Sequence, residues 1–67
     1  MITVSVNGEA RSVPENSTLA DLLRDLEINN RYCAVEQNRT VIPRESHGDC
    51  RLAESDVIEI VTLVGGG

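Results

Sequence analysis

At 67 residues the chain is one domain, and a domain of this size buries only about 60% of the surface its unfolded chain exposes, which leaves little room for a deep catalytic cleft. A net charge of −5 and a single aromatic residue, Tyr32, argue against nucleic acid, which needs cations for its phosphates and rings for its bases, and against an anionic membrane surface. No apolar stretch approaches the roughly 20 residues of a membrane span and no leader-like segment precedes the first strand, so the expected compartment is the cytoplasm.

Met1 to Val6 reads as a half-buried strand, with Ile2, Val4 and Val6 alternating against Thr3 and Ser5. Asn7-Gly8 follows directly. It is the strongest short hairpin signal, because both turn positions need positive φ. Glu9 to Val13 returns as the second strand, and Pro14-Glu15-Asn16-Ser17 ends it.

Ser17 or Thr18 is placed to cap a helix, with Asp21 three residues after Thr18 in a capping-box position. Leu19, Leu22, Leu23 and Leu26 fall at i, i+3, i+4 and i+7, one apolar face that an aliphatic domain this small needs for its core. The helix is expected to end near Leu26, with Asn29-Asn30 after it as residues tolerant of the left-handed conformation.

A third strand is predicted over Tyr32–Glu36 and a short fourth over Val41-Ile42, stopped by Pro43, which has no ladder donor. Arg44 to Asp49 is expected to hold one helical turn ended by Gly48, with Leu52 anchoring the next loop. Val57 to Val61 or Thr62 is the last strand, with Ile58 and Ile60 on one face and Glu59 on the other. Strand, strand, helix and three further strands make an α+β layout. The expected organisation is a folded domain over residues 1–62 and a flexible Gly-rich tail over residues 63–67.

That tail differs in kind from what precedes it. Gly65, Gly66 and Gly67 pack nothing and are entropically costly to order. A terminal α-carboxylate is ionised at neutral pH, its ordinary pKa being about 3.3–3.7, and is a poor acyl donor until activated. Attack on the α-phosphate of ATP makes it an acyl adenylate that a sulfur or nitrogen nucleophile displaces. Residues without Cβ thread a narrow channel, and three extended residues reach roughly 10 Å. Leu63 and Val64, apolar and at the end of the last strand, are the natural anchors for a partner beside the tail.

Four segments and the tail together resemble the ThiS family of sulfur carriers, part of the ubiquitin-like β-grasp superfamily. They are Ile2-Thr3-Val4-Ser5-Val6-Asn7-Gly8, the Leu19…Leu22-Leu23 helix, Ala34-Val35-Glu36-Gln37-Asn38, and Val41-Ile42-Pro43-Arg44; the last strand then runs into Val64-Gly65-Gly66-Gly67. The resemblance implies a mixed sheet of four to five strands with one main helix on one face. It also implies a cycle in thiamine biosynthesis. A ThiF-type enzyme, using ATP and magnesium, would adenylate Gly67. Persulfide sulfur relayed from a cysteine desulfurase would make a thiocarboxylate, and thiazole synthase of the ThiG type would accept the sulfur. The chain itself would supply no catalytic side chain and bind no cofactor or metal. A MoaD-type carrier for molybdopterin and a ubiquitin-like protein modifier share the tail chemistry and remain as alternatives.

Two departures from the family stand out. The loop before the last strand usually resembles Gly-Asp, whereas here it is Glu54-Ser55-Asp56, so Ser55 must turn without positive φ or accept it at a cost. His47 sits where a larger aromatic is common. With Glu45, Asp49 and Cys50 it imitates a metal cluster, but the spacing fits no standard site and the segment is expected to be a surface loop. Cys33 and Cys50 are expected to be small core residues rather than relay thiols, and too few for a four-thiolate site.

Overall fold

The computed structural model describes residues 1–63. Strand β1 (Ile2–Val6) pairs antiparallel with β2 (Glu9–Val13) across the Asn7-Gly8 turn, where φ is 50° and 88°. Helix α1 (Leu19–Asp25) follows. Then come β3 (Cys33–Gln37), β4 (Thr40–Ile42) and β5 (Val57–Thr62), with short 3-10 segments at Asn30–Tyr32 and Arg44–Asp49.

The sheet order is β2-β1-β5-β3-β4. β1 and β5 run parallel, and every other pairing is antiparallel. The last strand is therefore the middle of the sheet. The helix packs on one face, as a β-grasp requires. The edge strands β2 and β4 blunt their exposed ladders with Glu9 and Arg11 on one side and with shortness and Pro43 on the other.

Thr18, not Ser17, caps α1. The Asp21 N–H donates to the Thr18 hydroxyl (3.2 Å), and the Thr18 N–H donates to the Asp21 carboxylate (3.0 Å). These bonds, with the Arg24 ion pair at 2.6 Å, lower the Asp21 pKa. Ser17 instead donates its hydroxyl to the Pro14 carbonyl (2.6 Å). Leu19, Leu22 and Leu23 are buried, and Leu26 packs against the same core of Val4, Val6, Val13, Val35, Leu52, Ile58 and Ile60.

The helix stops at Asp25 with Leu26 as its C-cap, where its end was expected, but the left-handed residue lies elsewhere than expected. Asn29-Asn30 carry no positive φ. Glu27 does (59°). The Ile28 N–H reaches back to the Leu23 carbonyl (2.9 Å) and the Glu27 N–H to the Arg24 carbonyl (3.0 Å), a complete Schellman closure with glutamate where glycine is the usual residue. Asn29 instead caps the following 3-10 turn, accepting the Arg31 N–H at 2.9 Å, so β3 starts at Cys33 rather than Tyr32.

A left-handed residue with a Cβ carries roughly 1 kcal/mol of strain, partly offset in glycine by a more disordered unfolded chain. Glu27→Gly is thus expected to stabilise the fold by about 0.5–1 kcal/mol, read as a higher urea midpoint at unchanged slope. A lower midpoint would show that the Glu27 side chain makes a compensating contribution.

His47 corrects the surface-loop reading of Arg44–Asp49. The segment does form a helical turn, but it packs against α1 and buries the imidazole to 2% exposure. Nε2 lies 3.1 Å from the Ile42 carbonyl oxygen. Because that oxygen only accepts, Nε2 carries the ring proton. Nδ1 is buried with no hydrogen-bond partner among the described residues. Position 47 is thus a core position, which accounts for the aromatic expected there. Ser55 accepts its left-handed conformation outright, at φ 72°.

Candidate functional site: the stem and root of the C-terminal segment

β5 carries the chain toward Gly67, and it is held from both sides. The β3 ladder runs its whole length, from Gln37 opposite Ile58 to Cys33 opposite Thr62, and the Leu63 N–H continues it onto the Tyr32 carbonyl. On the other side β1 accompanies β5 only at Val57 and Ile58 before turning away.

Asn7 takes over where β1 stops. Its Nδ2 donates to the Ile60 carbonyl (3.1 Å), and its Oδ1 accepts the Ile60 N–H (2.8 Å). A side-chain amide presents the same donor–acceptor pair as a peptide, so Asn7 acts as one further residue of ladder. The second hairpin repeats the device. Asn38 and Arg39 form its turn, with φ of 51° and 72°. Asn38 Oδ1 accepts the Val57 N–H (2.9 Å), and the Asn38 N–H donates to the Val57 carbonyl (2.8 Å). Both hairpin-turn asparagines thus fasten β5. The sequence signal for Asn7 was read only as turn chemistry, because its second partner lies 53 residues away.

The start of β5 rests on Asp56, which is 9% exposed. Its carboxylate accepts from Gln37 Nε2 (2.9 Å), Asn38 Nδ2 (3.0 Å) and the Ala53 N–H (2.8 Å). Burial alone pushes this carboxyl up; the Asn38, Ala53 and Gln37 donors together outweigh it and hold the group below its ordinary range. Gln37 also accepts from the Cys50 thiol at 3.0 Å. Sequence reasoning missed Asp56 as the hub. The only hint was an acidic residue beside a turn.

The root of the segment is apolar and exposed. Leu63 is 55% exposed and Tyr32 59%, side by side through the Leu63–Tyr32 bond. Val61 and Ala34, opposite one another in register, are exposed on the sheet face away from the helix, as is Val41. Leu63, expected as a partner anchor, is thus an exposed apolar side chain just past the end of β5. Val64, Gly65, Gly66 and Gly67 lie outside the described residues. Cys33 is buried on the helix side and Cys50 is half-buried; both are free thiols, and burial pushes both up, with the Asp56 charge adding to the effect at Cys50. Among the described residues no group of three or more His, Cys, Asp or Glu side chains is placed to hold a metal ion, and no helix is long and apolar enough to cross a membrane.

The model of the ThiS family matches residues 4–67, from the first strand through the glycines. The chain belongs to the ThiS family. This ThiS-family chain is 40% identical over 53 residues to the sulfur carrier protein ThiS of Bacillus subtilis, covering 79% of this chain and 80% of that one. It is 36% identical over 62 residues to a thiazole synthase of Paramagnetospirillum magneticum, covering 92% of this chain but only 19% of the length of that protein. Its fold matches the crystal structure of the thiamine biosynthesis protein (ThiS) from Geobacter metallireducens with a TM-score of 0.84 at 29% identity, covering 98% of this chain and 100% of that one. The β-grasp assignment holds across that whole comparison.

Proposed function

We propose that this ThiS-family chain is a sulfur carrier of thiamine biosynthesis, loaded and unloaded at the α-carboxylate of Gly67. The observation that carries the reading is a centrally placed last strand, fastened on its β3 edge as far as Leu63 and on its other edge as far as Ile60, in a family whose match continues through Gly67. A braced stem fixes where the tail leaves the domain. Gly65 and Gly66 then form a thin arm that enters a partner's active site, while Leu63 and Val64 dock at its mouth.

In the first step a carboxylate oxygen of Gly67 attacks the α-phosphate of ATP and expels pyrophosphate. A ThiF-type adenylating enzyme, with magnesium, holds the nucleotide. In the second step a persulfide sulfur, relayed from a cysteine desulfurase, attacks the acyl carbon and expels AMP; reductive cleavage of the resulting acyl disulfide by a thiol leaves a thiocarboxylate. The sulfur is then delivered to a thiazole synthase. That acceptor is favoured over a molybdopterin one because a protein named as a thiazole synthase itself carries a stretch similar to nearly the whole of this chain. The chain is a co-substrate of these enzymes and contributes no catalytic side chain. Its work is done in the cytoplasm.

Incubation with ATP, magnesium, the adenylating enzyme and a sulfur donor is expected to add the mass difference between sulfur and oxygen to the intact chain. Deletion of Gly67 should reduce that conversion to background while moving stability by no more than about 0.5 kcal/mol, as for other surface changes. Undiminished loading in the deletion variant would overturn the assignment.

A further inference from the structure

On the reading that Gly67 becomes an activated acyl group, we infer that the fold withholds that group from every strong nucleophile of its own chain, so that only another molecule can discharge it. The hazard is an elementary one. An amine that reaches the acyl carbon forms a C–N bond, the C–O bond to AMP breaks with its electron pair, and the amine loses a proton to solvent. The product is a dead amide.

The first safeguard is compositional. All six cationic side chains are arginines, at positions 11, 24, 31, 39, 44 and 51, and the chain has no lysine. Lysine is among the commonest residues of globular proteins. All six arginines are exposed, so a lysine at any of them would present a free amine. Among the described residues only Arg24 has an ion-pair partner, so fork geometry does not call for guanidinium at the rest. A guanidinium stays protonated and is no acyl acceptor under these conditions.

The second safeguard is topological. Met1 carries the only amine of the 67-residue chain. β1 and β5 run parallel, with Ser5 beside Val57. Met1 lies four residues before that point, and Leu63 six residues beyond it on β5. At about 3.3 Å per residue they stand roughly 33 Å apart along the strand direction. Four residues beyond Leu63 reach at most about 14 Å. An antiparallel first and last strand would have brought amine and carboxyl together. The parallel pair sends them to opposite ends.

The third safeguard concerns thiols. Cys33 stands opposite Thr62 at the root of the tail, so distance does not protect it. Burial does. Its side chain faces the core at 8% exposure, and its thiol is pushed up, away from the reactive thiolate. Cys50 is hydrogen-bonded to Gln37, near the start of β5 and far from its end.

The test uses the 67-residue chain with Gly67 installed as a simple alkyl thioester, followed by intact mass in neutral buffer. The native chain is expected to hydrolyse to the acid, with no species lighter than the acid by one water. Tyr32→Lys and Ala34→Lys each place an amine at the tail root on an exposed surface. Each should yield the lactam at least about tenfold above the native chain, because tethering raises the local amine concentration to the millimolar range or beyond. A lactam or thiolactone in the native chain would overturn the inference, and so would two lysine variants that both stay open. Because the thioester is made without the adenylating enzyme, failure here is separable from failure of the adenylation reading, which ATP–pyrophosphate exchange reports.

Discussion

Asp56→Asn is expected to destabilise the fold by about 2–4 kcal/mol at pH 7, measured by urea unfolding. Three donors converge on this carboxylate: the Gln37 and Asn38 amides and the Ala53 N–H. Hydrogen bonds to a charged acceptor contribute about 1.5–3 kcal/mol each, and a buried donor left without a partner costs about 1–3 kcal/mol. Asparagine presents an NH2 where one of those oxygens stood, so at least one donor faces another donor. In a domain this small such a loss is a large share of the total. The network also sets the entry to β5, because Asn38, held by Asp56, is the residue that brackets Val57.

The same group gives the fold its acid limit. Asp56 has a folded pKa below its unfolded value of about 3.9. Its contribution is therefore complete above that value and is lost as pH falls through the folded one. Stability of the native chain should drop from about pH 4.5 downward, and Asp56→Asn should flatten that slope. Asp21, lowered by its cap bonds to Thr18 and by Arg24, acts with the same sign, so a residual slope in Asp56→Asn should shrink further when Asp21→Asn is added. An unchanged slope in Asp56→Asn would show that the carboxylate is not the titrating group.

What could be read from the sequence was whatever is settled within a few residues. Asn7-Gly8 demands its turn from two adjacent φ angles, and Thr18 and Asp21 close a capping box across one helical turn. The Leu19/Leu22/Leu23 spacing states which face is buried. Pro43 stops β4 without help from elsewhere. The missed features have partners far along the chain. Nothing near His47 announces that α1 will cover it. Nothing near Asn7 names Ile60 as the backbone its amide will bracket, and nothing near Asp56 names Gln37 and Asn38. Glu27 was missed for a different reason. Asparagine favours the left-handed region, so that conformation is expected at Asn29-Asn30 after the helix end near Leu26, whereas the 6→1 bond from Ile28 to Leu23 imposes it on Glu27, which stands between. For the candidate site, the exposed Leu63 was legible as an apolar residue past the last strand. The central, parallel placement of β5 was not, since strand order is a property of the assembled sheet.

Asn7→Gly separates the two roles of that residue and tests whether the stem matters to the tail. Glycine adopts the positive φ that the turn needs, so the β1–β2 hairpin survives; only the amide bracket on Ile60 is lost. Two hydrogen bonds disappear and a half-buried peptide is left to water, which should destabilise by about 1–3 kcal/mol. The loss should be local. Amide exchange should quicken at Ile60 to Leu63, beyond the reach of β1, while Thr3 to Val6 keep their protection. In the loading reaction a loosened stem has to be re-ordered on each encounter with the adenylating enzyme, so KM should rise with little change in maximal rate. Faster exchange in the hairpin with none at the end of β5 would mean that Asn7 serves the turn alone. A fall in maximal rate at unchanged KM would mean that the stem acts after docking, in placing the Gly67 carboxylate, rather than in presenting it.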